Sequence, residues 1–461
     1  MSGLRASSSL VVAWLLVACA PWRSDSRMWA PVEDEVEAWV EDHAVAIGGP
    51  SGELDVSPVC DTLAAAPVLG LGESSHGVHE LKAAQVAIIK CIAERPGPAS
   101  VLFELSYEFG MEMDAYVQGA DPRPDLGGGD IVSTRDLREM LDWLRGHNQR
   151  VAPEDRVRVG GVDMQCWFEC TRPVIEYLKV VDPTRAVAAE RSLAAMGPPY
   201  PRLGSAEGAA LLVAFAAEHD NLIAQRERYQ HAHDPAAWAD AVHRLVLARA
   251  TGSEAFESFP AGVDRDRVMA DSVEWFLASR RPDERFIVIA HSGHIAADPQ
   301  RMVNGRRAPP SMGEHLRHRL GRDYVSMHMA FRSGEFLAYR ANWIGSSKAG
   351  FANPLVVFPV AEPPRGTLEA MLGGPRDAYV LDLRRLPASG PVTRWFEWEQ
   401  PARNLGNSWR RRFARWPFTA VGWTRLSPAH AFDLVLYAPT ATPIVPLSIT
   451  GDARTTGARG S

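Results

Sequence analysis

Residues Val68–Gln85 read VLGLGESSHGVHELKAAQ, and the fold class turns on this stretch. Val68–Leu71 is an apolar run too short for a helix and suited to a buried strand. Gly70 and Gly72 let the backbone turn sharply without a Cβ clash. Glu73, Ser74, Ser75 and His76 follow, and from Val78 the apolar spacing becomes helical through Leu81, Val86 and Ile89. An acid and an imidazole therefore stand where a strand hands over to a helix. In open α/β sheets, ligands bind beyond the carboxyl ends of the strands. The plainer reading is that the serines cap the helix while Glu73 and His76 are solvated.

The pattern recurs downstream. Ala99–Leu105 (ASVLFEL) is a second buried strand, with Glu104 near its end. A carboxylate there is costly unless it is paired or placed in a functional crevice. Asp121–Asp130 (DPRPDLGGGD) is a loop rich in breakers, and Thr134–His147 is a helix with Leu137, Leu141 and Leu144 on one face. Val157–Asp163 (VRVGGVD) is a third strand, followed by Met164 and Gln165. Strands alternating with helices predict an α/β fold, a mainly parallel central sheet flanked by helices.

Residues 170–282 contain no convincing strand. Glu207–His231, Pro235–Ala250 and Gly262–Arg281 read as helices, so this segment is expected to be a helical insertion, with His219, His231, His233 and His243 as surface polar residues. Phe286–Ala290 (FIVIA) resumes the strand pattern and runs into His291-Ser292-Gly293-His294. Two imidazoles at a strand end, beside Glu73, His76 and Glu104 at others, form a candidate catalytic set. Tyr324–Ala330, Glu335–Arg340, Leu355–Val360, Tyr379–Leu383 and Phe432–Tyr437 are further strand candidates, and the chain from Thr440 reads as a frayed tail.

The amino terminus carries a targeting pattern. Arg5 precedes Leu10–Ala18 (LVVAWLLVA), too short to span a bilayer but right for a signal segment. The run ends in Leu16-Val17-Ala18-Cys19, which resembles the lipobox of bacterial lipoproteins and implies a lipid on Cys19, in an extracytoplasmic, membrane-tethered protein. An ordinary signal peptide with an incidental cysteine is the alternative. Glu33–Ile47 then reads as an amphipathic helix with Val36, Trp39 and Val40 inward. The organisation expected is a signal peptide at 1–18, a tether and first helix at 19–50, an α/β domain at 51–445 containing the 170–282 insertion, and a flexible tail at 446–461.

Removing Cys19 from the five cysteines leaves Cys60, Cys91, Cys166 and Cys170, an even number compatible with disulfides in an oxidising compartment. Cys60 lies before the first strand and Cys91 at the end of the following helix, so these two can meet. Cys166 and Cys170 can pair locally, though not within a regular helix without strain. A net charge of −7 gives no basic footprint for nucleic acid.

The motifs together resemble the erythromycin esterase family. The matching pieces are GESSHGVHE (Gly72–Glu80), FEL (Phe103–Leu105), GVDMQ (Gly161–Gln165), AHSGHIA (Ala290–Ala296) and the ending FDLVLYAPTATPIVP (Phe432–Pro446). The resemblance implies hydrolysis of an ester or macrolactone by histidine-activated water, with no cofactor and no covalent acyl-enzyme. It implies His76 as general base, Glu73 and Glu104 as flanking carboxylates, and His291 and His294 as the pair that holds substrate or stabilises charge. Ser75, Gln85, Asp163 and Gln165 are expected at the substrate. Nine residues after the base, macrolide-cleaving members carry an arginine where this chain has Gln85, with Lys82 the nearest cation. Three rivals stand beside this reading. The Glu/His set has enough donors for a zinc or manganese hydrolase. Ser74 or Ser75 could act as nucleophile, though no G-x-S-x-G elbow is present. The same cleft could also serve a non-catalytic binding protein.

Overall fold

The computed structural model describes residues 32–48, 54–126, 130–166, 168–193, 206–256, 264–302, 305–341, 353–373, 377–410 and 422–447. The expected signal segment, with Cys19, and the tail beyond 447 lie outside the described residues. The strands in chain order are β1 (Val45–Ala46), β2 (Val68–Glu73), β3 (Ala99–Ser106), β4 (Val157–Asp163), β5 (Arg285–His291), β6 (Tyr324–Arg340), β7 (Leu355–Val360), β8 (Tyr379–Asp382), β9 (Gln400–Arg403), β10 (Ser408–Trp409), β11 (Trp423–Leu426) and β12 (Leu434–Ala441). One sheet runs β1-β8-β12-β6-β2-β5-β3-β4, with β7 and β10 also pairing with β6. From β12 to β4 every neighbour is parallel. β8 and β1 extend the sheet antiparallel at one edge. This is the mainly parallel α/β sheet expected from the alternating pattern.

Parallel neighbours need crossovers, and helices provide them. They are α1 (Glu33–His43), α2 (Cys60–Ala64), α3 (His79–Ala93), α4 (Tyr107–Val117), α5 (Arg135–Asn148), α6 (Phe168–Val181), α7 (Pro183–Leu193), α8 (Ala206–Ala224), α9 (Arg226–Ala232), α10 (Pro235–Phe256), α11 (Arg265–Ala278), α12 (Ser292–Ile295) and α13 (Met312–Leu320). Side chains alternate across each strand, so a parallel strand buried on both sides can be apolar throughout. Ile287 and Ile289 of β5 face a core shared with α3 and α5, through Leu81, Ile88, Leu141 and Leu144. Phe286, Val288 and Ala290 face the opposite core, shared with α6, α8, α10 and α11 through Leu178, Phe215, Leu245 and Val273. The helices of the segment read as an insertion thus cover one face of the sheet.

Several local expectations change. Gly70 and Gly72 do not turn the chain, because β2 continues to Glu73. A Cβ on Gly72 would meet Ser292 Cα at 2.9 Å, so this glycine is there to admit α12 against the strand. The first helix stops at His43, since Val45–Ala46 leaves it to pair with β8. The helix expected over 207–231 is broken between Ala224 and Arg226. The two strands expected at 324–330 and 335–340 are one, β6, running through Gly334 at φ 132°. The tail is not frayed at Thr440. His79 N donates to Thr442 O, Val78 bridges Pro443, Thr134 bridges Pro446, and Leu447 N donates to Ser133 O, so the chain is bound down past Ile444. His243 is buried rather than a surface residue, stacked on Trp275 and edge-on to Tyr107.

Both disulfides are formed. Cys60–Cys91 joins α2 to α3 with Cα atoms 6.1 Å apart. Cys166–Cys170 spans the entry to α6, with Cα atoms 5.6 Å apart and only Cys170 inside the helix, which removes the strain expected of a pair within one helix. Among the described residues, no helix is long and apolar enough to cross a membrane.

Candidate active site

The carboxyl ends of β2, β3, β4 and β5 lie side by side and deliver Glu73, Glu104, Asp163 and His291 to one crevice. Glu73 and His291 are register partners across β2 and β5. Glu104 is aimed by an irregularity. Phe103 pairs with Gly161 but Ser106 pairs with Asp163, so three steps on β3 match two on β4. Such a bulge re-aims a side chain. A Cβ on Gly161 would run into the carbonyls of Ser106 and Leu105, so the bulge requires glycine opposite it. His76 follows on the turn after β2, and His294 on α12 after β5.

Glu73 is 2% exposed and completely engaged. Its Oε1 accepts from His76 Nδ1 at 2.7 Å and Lys82 Nζ at 2.7 Å, and its Oε2 accepts from Gln85 Nε2 at 3.0 Å. Burial would raise this carboxyl, but Lys82 and His76 beside it hold it down at about 2. A proton on His76 Nδ1 leaves Nε2 as the basic nitrogen, and His76 is a quarter exposed at the cleft.

Glu104 plays a different part. Its Oε2 accepts from the backbone N–H of His291 at 2.9 Å, and its Oε1 accepts from Arg265 Nη2 at 2.9 Å. His294 Nε2 lies 3.3 Å from Glu104 Oε1, and His294 Nδ1 donates to Asp266 Oδ1 at 2.6 Å. Burial disfavours charge on His294, yet Glu104 and Asp266 push it up to about 10, so it is an imidazolium with a carboxylate on each nitrogen. Burial would likewise raise Glu104, but His294 and Arg265 keep it well below the usual carboxylate range. Arg265 also clamps Asp163 through two bonds, Nε to Oδ1 at 3.0 Å and Nη2 to Oδ2 at 2.7 Å.

His291 is the counterpart of His294 in environment. Burial, with repulsion from His76 and His294, pushes it down to about 3, and it is neutral at physiological pH. Its Nδ1 accepts from Gly293 N at 3.2 Å, which places the ring proton on Nε2. Nε2 has no hydrogen-bond partner among the described residues. The ring stands 5.2 Å from that of His76, centroid to centroid.

These groups line a cleft of about 960 Å³. The lining includes apolar side chains, among them Val86, Phe109, Leu126, Ile131, Leu137 and Met140, interleaved with Asp125, Asp130, Ser133, Thr134 and Asp136, and also Gln165, Arg265, Asn404 and Asn407. Of the residues expected from sequence, Glu73, His76, Gln85, Glu104, Asp163, Gln165, His291 and His294 all line it. Ser75 does not. It is fully buried, its Oγ accepts from Gly77 N, and neither it nor Ser74 lines the cleft. Gln85 and Asp163 reach the crevice but are bonded to Glu73 and Arg265. Sequence reasoning missed Arg265 and Asp266, on the first turn of α11 behind the N-cap Asp264. An Asp-Arg-Asp-Arg run is an ordinary helix start, and nothing local in it points to strands 102 residues away.

A sheet crevice holding a carboxylate-braced imidazole and a facing neutral imidazole defines a hydrolase-like site. The chain belongs to the erythromycin esterase family, whose sequence profile matches residues 94–441. The match begins after the Glu73–His76 turn, so geometry rather than that match brings those two residues into the site. YbfO of Bacillus subtilis (strain 168) is 22% identical over 400 residues, covering 80% of this chain and 86% of the relative. Erythromycin esterase type II of Escherichia coli is 22% identical over 369 residues, covering 73% and 86%. The crystal structure of a mutant of the erythromycin esterase EreC in its open conformation shares the fold with a TM-score of 0.66 at 15% identity, covering 87% of this chain and 98% of that one.

Proposed function

We propose that the chain hydrolyses an ester bond, open-chain or lactone, in a small-molecule substrate, by attack of water that His76 deprotonates. The observation that carries this reading is the pairing of Glu73 with His76 Nδ1 at 2.7 Å opposite the unpartnered Nε2 of His291. Water oxygen adds to the carbonyl carbon while its proton passes to His76 Nε2. Glu73 stabilises the imidazolium so formed. The negative charge that develops on the carbonyl oxygen is received by the Nε2–H of His291, a neutral donor that a buried site keeps from protonating. Collapse expels the alkoxide, which takes the proton from His76, leaving acid and alcohol.

General base work contributes roughly 10²–10⁴-fold, and a single oxyanion donor a further 10²–10³-fold or so. His294 is a poorer donor to substrate because both its nitrogens face carboxylates. The size and mixed lining of the cleft favour a bulky acyl or lactone group that carries polar substituents. The carboxylates of Glu73 and Glu104 are matched by Lys82 and Arg265, which favours water activation by His76 over a metal's first shell. The test incubates the chain from residue 20 onward with a macrolide and ester panel and follows addition of one water by mass spectrometry, with and without chelator. Turnover insensitive to chelation supports the reading. Loss on chelation, restored by zinc or manganese, assigns the donors to a metal, and an inert protein that binds panel members leaves a binding function.

We further propose that Cys19 is lipidated and tethers the protein outside the cytoplasm. The apolar run ending in Leu16-Val17-Ala18-Cys19 supports this, and so do two disulfides of a kind that persist in oxidising compartments.

A further inference from the structure

Behind the crevice, on the side away from the cleft, runs a second chain of polar groups that the chemistry above does not use. His328 of β6 and Glu369 are each 0% exposed. His328 is the register partner of Gly72, the residue before Glu73. Its Nδ1 lies 2.9 Å from the Oγ of Ser292, and that same Oγ donates to Gly72 O at 2.7 Å. Ser292 has one hydroxyl proton, so once this goes to Gly72 the bond to His328 must be donated by the ring. His328 is therefore protonated on Nδ1. Phe432 stacks on the ring at 4.8 Å and holds its plane, and Nε2 looks toward Glu369 Oε1 at 3.9 Å. Glu369 Oε1 also accepts from the backbone N–H of Arg403 at 2.7 Å, immediately before Asn404 of the cleft wall.

We infer that His328 and Ser292 are positioning residues for the hydrolytic site, a relay that fixes the end of β2, which carries Glu73, against the turn that carries His291 and His294. Ser292 sits between those two histidines, and its Oγ is the side-chain link from that turn to the β2 backbone one residue before Glu73. Alanine at this position would leave the His328 Nδ1 without its partner and cut the side-chain bond to Gly72 O. A fully buried imidazole with its plane stacked and one nitrogen committed is suited to hold a hydroxyl in a single rotamer. The inference rests on the hydrolytic reading, because the separation being held is that of the His76 base from the His291 donor.

The test uses the full mature chain with a generic aryl ester and, in parallel, nitrogen-15 NMR of labelled histidines, which needs no turnover. Ser292→Ala and His328→Leu are each expected to lower kcat roughly tenfold or more with KM held, as for small displacements of reacting groups. The double variant is expected to be no worse than either single one, since both cut the same relay. His328→Asn is expected to recover activity, because its amide nitrogen lies near the place of ring Nδ1. In the spectra, His328 should be protonated at Nδ1, and Ser292→Ala should shift the His291 resonances. Wild-type kcat in folded Ser292→Ala, or additive losses in the double variant, would overturn the inference. So would His291 resonances that Ser292→Ala leaves in place. If the wild-type protein cleaves no ester, the hydrolytic reading falls, and the spectra alone decide whether the relay positions His291.

Discussion

Glu73 and His291 stand opposite each other in register on adjacent parallel strands, and each is the last residue of its strand. In the mechanism proposed above, one sheet register therefore sets the distance between the carboxylate that braces the base and the imidazole that receives the oxyanion. The His76 ring, on the turn after β2 and bonded to Glu73, stands 5.2 Å from that of His291.

His291 and His294 are expected to fail differently. His291→Ala removes the unpartnered Nε2–H donor and should lower kcat by roughly 10²–10³-fold with little change in melting temperature. His294→Ala takes the imidazolium from Asp266 and leaves Glu104 with Arg265 alone, so it should lower melting temperature and reduce activity less. Steady-state kinetics beside thermal melts of both variants check this, and equal kcat losses would remove the distinction.

Lys82 is expected to govern the charge on Glu73. In Lys82→Met, burial acts on the carboxyl with less opposition, and its pKa rises from about 2. A lowered carboxyl stabilises the fold above its unfolded value near 4.5 and loses that contribution as pH falls through about 2. The variant should therefore be less stable at neutral pH, and its activity should fall off at higher pH than the wild type on the acid side. A pH–rate profile superimposable on the wild type would contradict this.

Acid should weaken the fold through its buried histidines. His291 and His243 are both held down at about 3 by burial, whereas an unfolded histidine takes its proton near 6.5. The unfolded chain thus binds more protons between those values, and stability declines as pH falls below about 6.5, by at most about 1.4 kcal/mol per pH unit for each histidine. His294, raised to about 10, contributes stability that is complete below 6.5 and lost as pH rises through about 10. Urea unfolding at steps from pH 7 to 5 checks the acid side; a flat free energy over that range would contradict it.

Replacing Cys19 by alanine should release the protein from membranes into the soluble envelope fraction. Detergent-free washing followed by immunoblotting checks this, and a Cys19→Ala protein that remains membrane-bound would contradict lipidation.

The sheet was readable because β2, β3, β4 and β5 are short apolar runs that end in polar residues, and those ends are where the site lies. Glu73, Glu104, Asp163 and His291 all follow that rule. Their roles were not readable. Two flanking carboxylates look alike in sequence, yet only Glu73 touches His76, because the β3 bulge turns Glu104 toward Arg265 and the backbone of His291. Arg265 and Asn404 reach the cleft, and Asp266 reaches His294 behind it, from a helix start and a loop whose local sequence serves capping and turning equally well. Ser75 looked like a site residue from its neighbours, but the bridge to Leu405 buries it. The glycines of β2 looked like turn formers because sequence shows flexibility and hides the helix packed on top.

The most direct test of water activation by His76 is the turnover number of His76→Ala on whichever panel ester the wild-type protein cleaves, with folding checked by circular dichroism and intact-protein mass recorded during turnover. A loss of roughly 100-fold or more, with no acyl adduct on either protein, is the expected result. Near-normal turnover by a folded His76→Ala protein, or an acyl group trapped on Ser74 or Ser75, would contradict it.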